Sequence, residues 1–228
     1  MEEKEERMEN TVTEEVALEG QKTKKSGSLF YVVLAIIFVA FMGFRVIWAS
    51  NFMRVEVSGA SMNQTLKDKE VLLMDIVKDE VEAKSVQRGE IIVVDVSPYG
   101  VKDAQGNQVS YIIKRLIAVE GDKVKCKDGQ ISICYRGTEE YVELDEPYAY
   151  YGGMFGYSAK DYDFKEYVVG ENEIFFLGDN RLNSVDSRYQ EMGGSHLVGS
   201  LYKTSDIFGV VPQWAVDNRE LFNKLFFL

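Results

Sequence analysis

Leu29 to Phe44 is an almost unbroken apolar run, LFYVVLAIIFVAFMGF, which Val46 to Ala49 resumes after Arg45. From Leu29 to Ala49 it is 21 residues long. That meets the roughly 20 residues a helix needs to cross the hydrocarbon of a bilayer. Apolar residues cover every face of such a helix, which disfavours a buried core helix with one polar side. A cleaved export signal would have a shorter apolar core closed by a small-residue cut site, and no such site closes this run. Arg45 lies near one end, where its long stem can carry the charge to the headgroups. Trp48 suits the interface. The run therefore predicts one membrane anchor, over 28–50.

Lys22, Lys24 and Lys25 lie just before the anchor, so the N-terminus is expected on the cytoplasmic side and everything after about residue 50 outside the cell membrane. The first 21 residues hold eight Glu against Lys4 and Arg7, with few large apolar side chains. Residues 1–27 read as a disordered, solvated, acidic tail. The formal charge of −11 on 228 residues argues against nucleic acid as a partner, because phosphate binding needs a basic surface. That leaves 51–228 as one modest domain.

The body reads mostly as strand. Phe52 to Val57 alternates apolar and polar, Val71 to Met74 is a short apolar run, and Glu90 to Val96 is a strong strand pattern. Tyr111 to Val119 is another, with Ile113, Arg115 and Ile117 on one face and Ile112, Lys114 and Leu116 on the other. Ile174 to Leu177 stops at Gly178-Asp179, and Ile207 to Val211 is the last. The fold class is mainly β. Lys123 to Tyr135 predicts a hairpin about Asp128-Gly129, with Cys126 opposite Ile131 and Cys134 opposite Lys123. The two thiols then do not face each other, which favours free cysteines over a disulfide, although spacing alone fixes no bridge. Pro147 to Phe164 carries Tyr148, Tyr150, Tyr151, Phe155, Tyr157 and Tyr162 among glycines and polar residues. They read best as a loop or extra hairpin packing on the domain, with lipid contact as the alternative. Leu221, Phe222, Leu225 and Phe226 fall at helical spacing.

The chemistry is bounded by absences. His196 is the one histidine, in a loop-like Gly-Gly-Ser-His setting, so a Ser-His-Asp site would depend on it alone. No metal-ligand spacing and no phosphate-cradling loop is present, so no metal or cofactor is expected. Three segments remain. Small residues around Ser61, in SGASMNQTL at 58–66, let a substrate approach the backbone and can expose a hydroxyl, though Ser and Gly also mark ordinary turns. Lys114 sits inside an apolar strand. It either snorkels outward, or is buried and loses pKa by desolvation until it can take a serine's proton. GDNRLNSVDSR at 178–188 packs two carboxylates, two guanidiniums and two hydroxyls into 11 residues. That is either a solvated charged loop or a rigid support built of Arg–carboxylate pairs.

These segments, with RGEIIVVDV at 88–96 and YIIKRLIAVEGD at 111–122, resemble the type I signal peptidases of the Gram-positive bacterial kind, over essentially residues 22–211. The resemblance implies a membrane-bound serine endopeptidase with a β catalytic domain. It would remove signal peptides from secretory preproteins through a Ser/Lys dyad and an acyl-enzyme, after small residues of the Ala-X-Ala kind. Ser61 would be the nucleophile and Lys114 the general base. Ser184 would orient the lysine amine. Asp179, Asp186 and Arg188 would support the site through salt bridges, and Arg181 has no assigned role. The Ser61 N–H would donate to the oxyanion, and Met62 and Ile113 would line a shallow pocket for the residue before the cut. The partners implied are signal peptides and the lipid bilayer, with the chain a monomer.

The sequence departs from the pattern at Gln64 and Glu120, where the family usually has Pro, and at Gly59, where some relatives place a Ser hydroxyl in the oxyanion hole. A catalytically weak relative that binds signal peptides without cutting, and a protease for one dedicated secreted substrate, are the alternatives.

Overall fold

A computed structural model describes residues 29–103, 106–152, 158–190 and 202–226, so His196, Phe155, Tyr157 and the acidic tail lie outside the described residues. The chain divides into two units, Met1–Ser50 and Asn51–Leu228. Helix α1 (Leu29–Asn51) belongs to the first except for its last residue, and at 23 residues is long and apolar enough to cross a membrane. Its large apolar side chains are exposed along the whole length. Near its end Ser50 Oγ donates back to the carbonyls of Val46 and Ile47.

The second unit is mainly β, as expected. Strands β1 (Phe52–Glu56), β2 (Val71–Ile76), β3 (Ile91–Asp95), β4 (Tyr111–Val119), β9 (Glu173–Leu177), β10 (Tyr202–Lys203) and β11 (Ile207–Val211) form a seven-stranded sheet in the order β1-β2-β11-β3-β4-β9-β10. Strands β5 (Lys123–Lys127), β6 (Gln130–Cys134), β7 (Val142–Glu143) and β8 (Phe164–Val168) form a four-stranded sheet in the order β7-β6-β5-β8. The β5–β6 hairpin has the register read from the sequence, with Cys126 opposite Ile131 and Lys123 opposite Cys134. Asp128 and Gly129 both have positive φ, 52° and 79°, as a two-residue turn matched to strand twist requires. Both cysteines are free and buried.

Three apolar clusters follow from strand alternation. The four-stranded sheet covers β4 and β9 through Ile117, Val124, Ile131, Ile133, Phe164 and Phe175. Ile92, Val94, Leu116 and Phe176 form a second cluster with Val86, just past helix α2 (Glu80–Ser85). The third joins β2, β3 and β11 to helix α3 (Gln213–Asp217) and takes in Met62 and Leu66 from the segment after β1. Those two side chains are 1% and 0% exposed. Burying them stabilises by about 1.5–3 kcal/mol each, which fixes the Ser61 turn to the sheet by its own neighbours. Leu221 and Phe222 do lie on a helix, α4 (Arg219–Phe226).

Candidate active site

Strand β4 brings Lys114 in from one side. Ile92 of β3 lies opposite it, and pairing with β9 begins one residue later, at Arg115 opposite Leu177. The side chain is 4% exposed. Its Nζ lies 2.8 Å from Ser61 Oγ and donates to the Ile113 carbonyl at 2.9 Å. Burial pulls the amine from its ordinary 10.5 down to about 8. The charges of Asp186 and Asp179 oppose that shift and Arg188 reinforces it. Desolvation wins because no carboxylate is paired with the amine directly. Of the two readings of Lys114, the buried one holds.

Ser61 arrives on the turn after β1. Its carbonyl accepts from the Asn180 N–H at 2.9 Å, and the Ala60 carbonyl accepts from Asn180 Nδ2 at 3.0 Å. Among the described residues the Ser61 N–H donates to no group. Gly178 is where the two segments touch. A Cβ there would stand 2.6 Å from the Ser61 carbonyl and collide with Ser184 Oγ, so only glycine fits.

The 178–188 segment is a buried lattice of ion pairs, not a solvated loop. Register explains its first member. Asp179 lies two residues past Leu177, diagonal to Arg115 across the β4–β9 pair. Arg115 Nε and Nη2 bind the Asp179 carboxylate at 2.8 and 2.6 Å, and Thr65 Oγ1 donates to it at 2.5 Å. Asp186 accepts from Arg188 Nε and Nη2, both at 2.8 Å, and from the Gly178 N–H at 3.0 Å. Burial alone would raise the Asp186 carboxyl, yet Arg188 and the Gly178 N–H hold it below the usual carboxylate range. Arg181 gains a partner the sequence did not reveal, Glu146, at 3.2 and 2.5 Å. The tyrosine-rich segment closes this lattice. Tyr148 stacks on Arg115 at 3.9 Å and Tyr162 on Arg188 at 3.4 Å, ring centroid to guanidinium carbon. Such stacks suit desolvated arginines.

Two expectations need correction. Ser184 makes no hydrogen bond to Lys114. Its Oγ is buried against Gly178 and turned to the Asp186 carboxylate, which it helps hold below the usual range, and the Ile113 carbonyl takes the amine's second bond. Met62 does not line an open pocket, because it points into the third cluster. Ile113 is only partly buried and stays at the dyad's edge. Arg115, Glu146, Tyr148, Thr65 and Gly178 are site members to which sequence reasoning gave no role. A cavity of about 350 Å³ lies elsewhere, between α2 and the ends of β4 and β11, and none of its lining residues belongs to the site.

The profile of a protein family described as "Signal peptidase, peptidase S26" matches residues 29–219. The chain belongs to this family. It is therefore a peptidase by family, a hydrolase. Signal peptidase I U of Bacillus subtilis (strain 168) is 34% identical over 160 residues, 69% of this chain and 75% of that protein. A signal peptidase I of Bacillus licheniformis is 32% identical over 171 residues, 75% and 83% of the two chains. A crystal structure of a signal peptidase I from Enterococcus faecalis V583 aligns with a TM-score of 0.37 and 25% identity, over 56% of this chain and 97% of that one. The matched span of this signal peptidase family member includes α1, the Ser61 turn, β4 and the whole 178–188 lattice.

Proposed function

We propose that this chain is a membrane-anchored signal peptidase that cuts secretory preproteins after small residues of the Ala-X-Ala kind, with Ser61 as nucleophile and Lys114 as general base. One observation carries the reading: the Lys114 amine is buried, depressed to about 8, and 2.8 Å from Ser61 Oγ. A neutral amine there accepts the hydroxyl proton as Ser61 attacks the scissile carbonyl. Its own N–H bond to Ile113 O aims the lone pair at Ser61. The oxyanion takes the unengaged Ser61 N–H. The lysine ammonium then protonates the departing amine of the mature protein. In the second half-reaction the neutral amine draws a proton from water, which releases the signal peptide.

The substrate enters as an extended strand. Pairing of β9 with β4 spans only Arg115–Val119, so Tyr111–Ile113 offer backbone beside the dyad without a partner from β9. Asp179, Asp186 and Arg188 act by holding this geometry, and Ser184 and Met62 by filling the space behind it. Helix α1 is the anchor, residues 51–228 are the extracytoplasmic peptidase domain, and 1–27 the cytoplasmic tail, an orientation that rests on Lys22, Lys24 and Lys25. Anchoring puts enzyme and precursor in one plane, which raises their effective concentration.

The test is a full-length, detergent-solubilised enzyme with a preprotein carrying an Ala-X-Ala site. Wild type cleaves it, and Ser61→Ala and Lys114→Ala do not. A wild type that binds the preprotein and never cuts would make the chain a signal-peptide binder. Full activity in Lys114→Ala would remove the base from the lysine.

A further inference from the structure

Asn180 is the residue on which both peptide groups flanking Ser61 converge. Its Nδ2 donates to the Ala60 carbonyl at 3.0 Å, and its backbone N–H donates to the Ser61 carbonyl at 2.9 Å. The Ala60 carbonyl belongs to the same peptide group as the Ser61 N–H, and it also accepts from the Asn63 N–H at 3.1 Å. The amide's orientation follows from its partner, since a carbonyl only accepts and the NH2 must face it. That leaves Asn180 Oδ1 buried without a partner, on a residue that is 5% exposed. Burying an unpaired acceptor opposes folding, so packing alone does not account for an amide here. Such local violations belong to functional positions.

We propose that Asn180 is a positioning residue for the reaction, acting through the Ala60–Ser61 peptide to aim and strengthen the Ser61 N–H as the oxyanion donor. The inference rests on the dyad reading above. Two effects support it. Fixing both flanking peptide planes fixes the Cα–Cβ direction of Ser61, and with it the 2.8 Å contact to Lys114. Donating to the carbonyl of an amide also polarises that amide and makes its N–H a better donor. Asn180 is itself clamped, because Tyr150 accepts from the Arg181 N–H at 2.8 Å and donates to the Asp179 carbonyl at 2.7 Å on either side of it. The tyrosine-rich segment thus reaches the nucleophile through Asn180, beside its other route through Arg115, Asp179 and Thr65.

The test compares wild type, Asn180→Ala and Asn180→Asp in the full-length enzyme, with Ser61→Ala as control. Asn180→Ala removes the donor, and Asn180→Asp sets an oxygen against the Ala60 carbonyl. We expect kcat to fall about 10- to 100-fold in Asn180→Ala and further in Asn180→Asp, with KM within about twofold. The acid limb of the pH profile stays where wild type has it. Affinity for a peptide aldehyde ending in Ala-X-Ala, whose adduct with Ser61 carries the oxyanion, falls by the same factor as kcat/KM. Wild-type kcat in Asn180→Ala, a loss confined to KM, or a displaced acid limb would each overturn the proposal. So would failure of both variants to fold, since the residue would then be holding the fold. An inactive wild type, or an active Ser61→Ala, would instead sink the dyad reading.

Discussion

Lys114→Met abolishes cleavage and leaves the protein at least as stable as wild type. The substitution keeps an unbranched apolar stem in the β4 slot and deletes only the amine. Without a base, Ser61 keeps its proton, and kcat/KM is expected to fall at least ~10⁴-fold. The stability effect has the opposite sign because the site holds the lysine against its own preference. Lowering its pKa from 10.5 to about 8 costs the folded state roughly 3 kcal/mol below that pH, at about 1.4 kcal/mol per unit. Between about 8 and 10.5 the unfolded lysine binds a proton that the folded one has lost, so its contribution to stability rises with pH across that window. Lys114→Met is expected to lack that rise. Urea unfolding of both proteins at pH 7 and pH 9.5 checks this. A variant clearly less stable than wild type at pH 7 would mean that the amine holds the fold together.

The second large effect is on the ion-pair lattice. Arg115→Met leaves the Asp179 carboxylate, 0% exposed, with the Thr65 hydroxyl but no cation. Stripping one partner from a buried pair costs about 3–5 kcal/mol. Against total stabilities of about 5–15 kcal/mol, that is enough to leave much of the enzyme unfolded under mild stress. The loss is not the worth of the pair itself. Removing both charges, in Arg115→Met with Asp179→Leu, is expected to return a good part of the stability while activity stays lost, because the Asp179 clasp on Thr65 is gone. Unfolding midpoints for the single and double variants measure this. A double variant less stable than the single one would contradict it.

Much of this fold could be read from local pattern. β4 and β11 have the bounds that alternation gave, and the Asp128-Gly129 turn set the hairpin register residue by residue. β7 and β10 escaped because two residues carry no period, and β8 because Phe-Lys-Glu-Tyr-Val does not alternate and runs on from the tyrosine-rich segment. Helix α2 was missed although Asp79 caps it, accepting from the Val81 and Glu82 N–H groups, since six residues, fewer than two turns, show no helical repeat. In the site, the Ser61, Lys114 and 178–188 segments stood out through their motifs. Arg115 was visible as a residue, but its bond to Asp179 depends on β4 and β9 meeting from 64 positions apart. Glu146 and Tyr148 were hidden for the same reason, because only the tertiary approach of the tyrosine-rich segment decides which arginine each one meets. Ser184 shows the reverse limit. A motif identifies the residue, while its hydrogen bond depends on packing against Gly178 that no spacing encodes.

The pH dependence of acylation tests the central claim most directly. With a cleavable preprotein and the full-length enzyme, kcat/KM measured from pH 6 to 10 should rise along a single-proton limb centred near 8, the value burial gives Lys114. A profile that is flat across that range, or whose limb lies at the 10.5 of a hydrated lysine, would contradict a desolvated amine acting on Ser61.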